Sequence, residues 1–140
     1  MAASGADVSA IGSWTKIVGS GDLIAGAGSD LAAQYESVSG TTSLDITNAA
    51  GGAWRIFARR ASGTWDPAFR LSIRRTSDGS GSGSVQGGAS YVELSTLDTE
   101  ILTGVGDRSG IALQLKLSGM SRKVSPNTYS SGIIFTVVAQ

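Results

Sequence analysis

Chemistry in this chain would have to come from carboxylates, hydroxyls and cations, because its 140 residues include no histidine and no cysteine. Those two absences exclude Ser-His-Asp and Cys-His catalysis, thiolate metal sites, the common zinc centres and any disulfide. Four carboxylates stand out by position. Asp98 and Glu100 alternate onto one side of an extended stretch, and Asp66 and Asp107 sit in turn-like segments. Paired acids can hydrolyse glycosidic bonds, but eleven acids against eleven Lys and Arg read more simply as solvated charges balancing the cations. "SWTK" (Ser13–Lys16) has the S-x-x-K spacing. That motif works at a helix start with S-D-N and K-T-G nearby, and here the surroundings read as extended and both companions are missing. "GAGSDL" and "GVGDRS" each lack the last glycine of G-x-G-x-x-G, and no Walker sequence occurs. The reading is a protein that is not an enzyme and carries no cofactor or metal.

A binding surface is the second chemistry to weigh. Six of the eleven basic residues fall between Arg55 and Arg75, with Asp66 the one acid among them. Arg55, Phe57 and Arg59 alternate in "AWRIFARR", and Arg70 and Arg74 alternate in "AFRLSIRR". Aromatic rings beside guanidinium groups can hold sugars, bases or acidic polymers, so these five residues are the candidate polyanion site. Zero net charge gives no general steering toward nucleic acid. Were the two stretches a simple hairpin turning near Thr64, Arg55 would oppose Arg74 and Arg59 would oppose Arg70, which is unfavourable. Either flanking acids (Asp45, Glu93, Asp98, Glu100) offset them, or the strands lie in different sheets, or an anion does the offsetting.

Strands must position all of this. Period-two alternation recurs in Leu44/Ile46, in Trp54/Ile56/Ala58, in Phe69/Leu71/Ile73 and in Ile111/Leu113/Leu115/Leu117. The last set predicts the central core row, faced by Trp54, Ile56, Leu71 and Ile73. Weaker strands are expected at 14–18, 31–38, 91–94 and 100–102, with "SDLAAQYES" open to a short helix capped by Ser29. Twenty glycines and clusters such as "NAAGG" and "ASGTWDP" mark turns between them. Seven to ten strands in a single domain, 1–140, arranged as an antiparallel sandwich or barrel, is the expectation. The Gly-Ser tract from Asp78 to Gly88 reads as a flexible hairpin loop inside that domain, not a linker.

"GIIFTVV" breaks the alternation. Ile133, Phe135 and Val137 fall on one side and Ile134 and Val138 on the other, so the second side needs a cover. The expectation is that another subunit buries Ile134 and Val138. No stretch of 18 apolar residues is present. "MAASGADVSAIG" has neither the basic nor the apolar region of a signal peptide, and reads as a native cytosolic start or a mature N-terminus with an added Met.

"LKLSGMSRKVSPNTYSSGIIFTVV" resembles the closing hairpin of bacterial secreted β-sandwich subunits, the pilin-like and spore-coat-U-like families, through Pro126, Thr128, Tyr129, Phe135 and Val137. This chain departs from them in having no disulfide, and Ala139 where many pilins have a penultimate tyrosine. The resemblance implies an all-β antiparallel β-sandwich, immunoglobulin-like or jelly-roll-like, with little helix. It also implies an extracellular or cell-surface protein that polymerises with itself by strand contacts, with 1–12 as an extended or donor segment. In "ADVSAIGSW", which overlaps that segment, Val8, Ala10, Gly12 and Trp14 alternate and would fill a neighbour's groove, unless they form an ordinary first strand. The expectation is therefore a structural subunit of a filament, surface assembly or virion coat. The alternative is a monomeric module binding carbohydrate or polyanion.

Overall fold

The apolar rows meet face to face. A computed structural model describes residues 6–61 and 63–140, and among these it contains eleven strands and no α-helix. A seven-stranded antiparallel sheet is built from β1 (Asp7–Ile11), β2 (Gln34–Glu36), β3 (Thr42–Thr47), β5 (Arg70–Arg75), β6 (Ser80–Gly81), β8 (Val92–Leu94) and β10 (Arg108–Ser118). Its main path runs β1-β3-β10-β5-β8, and β2 and β6 join opposite ends of β10. The second sheet has four strands in the order β11-β4-β9-β7: β11 (Ile133–Ala139), β4 (Ala53–Arg60), β9 (Thr99–Val105) and β7 (Ser84–Gln86). The fold is an all-β sandwich. From β3 onward every link but β5 to β6 crosses from one sheet to the other.

Alternation explains the core. Trp54, Ile56 and Ala58 of β4 are fully buried and, with Ile101 and Leu102 of β9, line the four-stranded sheet. Leu44 and Ile46, Leu71 and Ile73, and Ile111, Leu113 and Leu115 line the other. Leu117, expected in the same row, is only half-buried, because β10 there runs past the core to pair with β2. Packing between the layers is tight: the cleft bounded by Ile73, Gly88, Ile101, Leu102 and Leu113 has no room for a water molecule.

Several expectations need correction. There are eleven strands, not seven to ten, because β2, β6, β7 and β8 are pieces of two or three residues. Residues 14–18 form no strand. Gly12 adopts φ +107° with its backbone so close to Thr41 O that no Cβ would fit, and the chain leaves the sheet there. Lys16 then turns to Asp22 at 3.0 Å, and the Gly19 N–H and that ammonium hold the Asp22 carboxyl below its usual pKa. Of 31–38 only Gln34–Glu36 is a strand. Ser29 caps no helix, its hydroxyl donating to Gly26 O within a turn. The arginine-rich stretches, by contrast, follow one of the options open to them: β4 and β5 lie in different sheets.

The Gly-Ser tract is also not a loose hairpin loop. It carries β6 and β7 and conducts the chain from one sheet to the other. Its organiser is Arg108, 9% exposed. The guanidinium donates to Asp78 O (2.8 and 3.2 Å), Gly79 O (3.0 Å), Gly81 O (3.1 Å) and Gly83 O (2.7 Å). A planar fork with five N–H groups suits such a ring of carbonyls. Arg75 adds an ion pair to Asp78.

Candidate functional site

Because β4 and β5 present their apolar rows to one core from opposite sheets, their arginine rows point away from each other. The five residues of the candidate polyanion site are thereby divided. Arg55, Phe57 and Arg59 lie on the outer side of the four-stranded sheet, and Arg70 and Arg74 on the outer side of the seven-stranded sheet.

Each arginine also has a local partner. Arg55 faces Glu100 at 3.8 Å, Arg59 faces Asp98 at 3.7 Å and Arg70 faces Glu93 at 3.7 Å. All six side chains are about half exposed, so each pair contributes roughly 0–1 kcal/mol. Their effect is to neutralise the surface rather than to hold the fold. Asp98 and Glu100 are thus engaged with cations, whereas Asp66 and Asp107 accept N–H groups of Ala68 and Ala49. Asp45, another acid weighed beside the arginines, instead accepts the Gly110 N–H. Among the described residues no three acids are grouped to hold a metal ion.

Arg74 donates twice to Gln114 Oε1, at 2.8 and 2.6 Å. Its guanidinium lies 4.7 Å from the Tyr91 ring centre, and Lys116 Nζ lies 4.4 Å from it. The Tyr91 hydroxyl donates to Glu36 at 2.5 Å. One tyrosine thus links β8, β5, β10 and β2 across the outer side of the sheet. Burial first, and the Glu36 carboxylate second, push its pKa up to about 12. A raised phenol pKa favours the folded state below about 10, the unfolded value, and that contribution is lost as pH climbs from there through 12. An alkaline titration followed by phenolate absorbance is expected to lose one late-ionising tyrosine in Tyr91→Phe, while Tyr35, whose pKa burial also raises, stays late. A late amplitude unchanged by Tyr91→Phe would show that the clamp does not govern it.

Three other aromatics pack against one another. Trp65, Phe69 and Tyr129 form an edge-to-face chain with centroids 5.3 and 5.0 Å apart, and Arg60 lies 4.7 Å over Trp65. Phe57 stays half-buried beside Thr136 on the outer side of the four-stranded sheet.

The six candidate interface residues divide into two groups on one flank. Residues 1–5 of the 1–12 segment lie outside the described residues. Val8, Ala10 and their neighbours form β1, paired with β3 of the same chain from Asp7↔Thr47 to Ile11↔Ser43. Val8 and Trp14 pack against the core, Gly12 holds the tight approach to Thr41, and Ala10 is exposed. β11 runs along the same flank on the other sheet, close to β1. It turns Ile133, Phe135 and Val137 against the core, and leaves Ile134 39% and Val138 46% exposed on the outer side. Val105 of β9, 42% exposed, shares that outer side, a residue that the sequence reading missed. The apolar end of "ILTGV" before a Gly turn was the available signal.

The surface so assembled has Ile134 beside Arg59, Thr136 beside Phe57 and Val138 beside Arg55, with Glu100, Thr103 and Val105 beyond. It mixes apolar side chains with arginines offset by acids. No helix among the described residues is long and apolar enough to cross a membrane. The chain matches no protein-family model, no curated protein and no solved structure.

Proposed function

We propose that this protein is a non-enzymatic structural subunit that packs against copies of itself in an extracellular filament or surface assembly. The observation that carries the reading is β11, apolar on both sides, with Ile134 and Val138 outward on the side that also carries Phe57 and Val105. Exposed apolar surface of this kind marks interaction sites. A net charge of zero adds no repulsion between copies. The resemblance of 115–138 to secreted β-sandwich subunits points the same way and is the sole support for the extracellular location. A carbohydrate- or polyanion-binding module draws less support, since its arginines are split between two surfaces and offset by acids.

Burying one such side chain completely is worth roughly 1.5–3 kcal/mol, and about half of that remains to be gained by residues already half covered. Ile134→Lys with Val138→Lys therefore should weaken self-association by about 100-fold or more, at 1.4 kcal/mol per tenfold. The fold should survive, since surface substitutions usually change stability by about 0.5 kcal/mol or less. Sedimentation and a melting curve check both statements. A parent protein that stays monomeric at high concentration, or a variant that assembles like the parent, would overturn the proposal.

A further inference from the structure

Among the strands paired on one side only, β6 has two residues, β2, β7 and β8 have three each and β1 has five, whereas β11 has seven. Proteins blunt long edges with charge, proline or a bulge. "IIFTVVA" has no charge and no proline, and its register with β4 is unbroken from Ile133↔Arg60 to Ala139↔Trp54. The register shifts of this fold fall in β9 and β10 instead.

Which groups the edge offers follows from two bonds. Ala61 N–H donates to Gly132 O at 2.8 Å, and Gln140 N–H donates to Ala53 O at 2.9 Å. Even-numbered residues therefore bond toward β4, and the alternation of an antiparallel pair aims the N–H and C=O of Ile133, Phe135, Val137 and Ala139 away from it. β1 lies nearby, but among the described residues no backbone bond joins it to β11.

We infer that this edge pairs with the β11 edge of a second copy, antiparallel about a two-fold axis through Thr136. The inference rests on the self-assembly reading and specifies its geometry. That centre pairs all seven residues: Ile133 with Ala139, Ile134 with Val138, Phe135 with Val137 and Thr136 with its own equivalent. Every pair but the threonine one is apolar, and facing threonines are themselves a favourable cross-strand pair. Charge does not oppose the contact. The strand has none; of the cations that β4 places beside it, Arg55 and Arg59 are each offset by an acid on the far side of β4, and Arg60 lies over the Trp65 ring. The two four-stranded sheets become one of eight strands, with Ile134 and Val138 of both copies in a continuous apolar band. A two-fold contact closes on itself, so the band, not the edge, is left for growth beyond a dimer.

Thr136, Ile134 and Val138 all occupy positions that do not hydrogen-bond across the new contact, where facing Cβ atoms lie about 4.5–5.5 Å apart, close enough for a disulfide after slight adjustment. The native chain has no cysteine to interfere. Ile134→Cys chains mixed with Val138→Cys chains are expected to form a mixed disulfide dimer under mild oxidation, while each variant alone stays uncrosslinked. The two copies of residue 134 would be roughly 14 Å apart, four residues at 3.4 Å each. Thr136→Cys is expected to crosslink to itself. If sedimentation shows the parent assembling, but the single variants crosslink as readily as the mixture or nothing crosslinks, the edge geometry is wrong and the assembly reading stands. A parent that is monomeric throughout removes both.

Discussion

Trp54→Ala is expected to lower the unfolding free energy by about 3–5 kcal/mol, the range for deleting a large buried aromatic, against a total of roughly 5–15 kcal/mol for a domain. Its burial and two contacts place it at the top of that range. The side chain has no exposed surface at the centre of the four-stranded sheet. Its Nε1–H donates to Gly106 O at 2.8 Å, which fixes the turn from β9 into β10. Its ring also lies where a Cβ on Gly104 would fall 2.4 Å from it, so β9 is shaped around the indole. Removing it leaves a cavity and an unsatisfied carbonyl in one step. Trp54→Phe should recover most of the apolar term but not the hydrogen bond. Urea denaturation of the three proteins measures the difference. A loss below about 1 kcal/mol for alanine would mean that the sheets close over the gap, against the usual behaviour of packed interiors.

That tryptophan was legible in the sequence because its strand is half-buried, and half-burial writes itself as alternation. The same is true of Ile56, Leu71, Ile73, Ile111, Leu113 and Leu115. The outward direction of Ile134 and Val138 came from the failure of alternation, which is equally local. Strands such as β6 and β7 were not legible, because two or three residues become a strand only when a distant partner, here β10 or β9, lies alongside. The division of the arginines was one of the options the sequence left open, yet the five residues were grouped as one site. If the Trp54 row and the Leu71 row face one core from two sheets, Arg55 and Arg70 must point in opposite directions.

Arg108 had no such signature. One arginine after "GVGD" reads as a turn residue, and its role depends on carbonyls 25 to 30 positions earlier in the chain. The sequence shows that glycine and serine allow many conformations in 78–88. It does not show what selects one.

Arg108→Met tests that selection, and the expected loss is about 3 kcal/mol. Two opposing effects set the figure. Five hydrogen bonds from a cation are removed, and each carbonyl left buried without a donor costs about 1–3 kcal/mol. Against this, a desolvated cation that makes no ion pair among the described residues is also removed, which relieves a real penalty. Ser80, Gly81 and Ser82 are exposed, so water can satisfy part of what the guanidinium leaves. The loss should therefore fall well below the sum of five bonds, and should concentrate locally. Amide exchange in Ser80–Gln86 and at Arg108–Ser109, where β6 pairs with β10, is expected to rise by more than tenfold, while the Leu113–Leu117 stretch changes only with global stability. Arg108→Lys should behave more like methionine than arginine, because a compact ammonium with three donors cannot reach all four carbonyls. Unchanged exchange in Ser80–Gln86 would mean that the tract is ordered by its β7–β9 pairing alone, and that the guanidinium merely occupies a ring of carbonyls already formed.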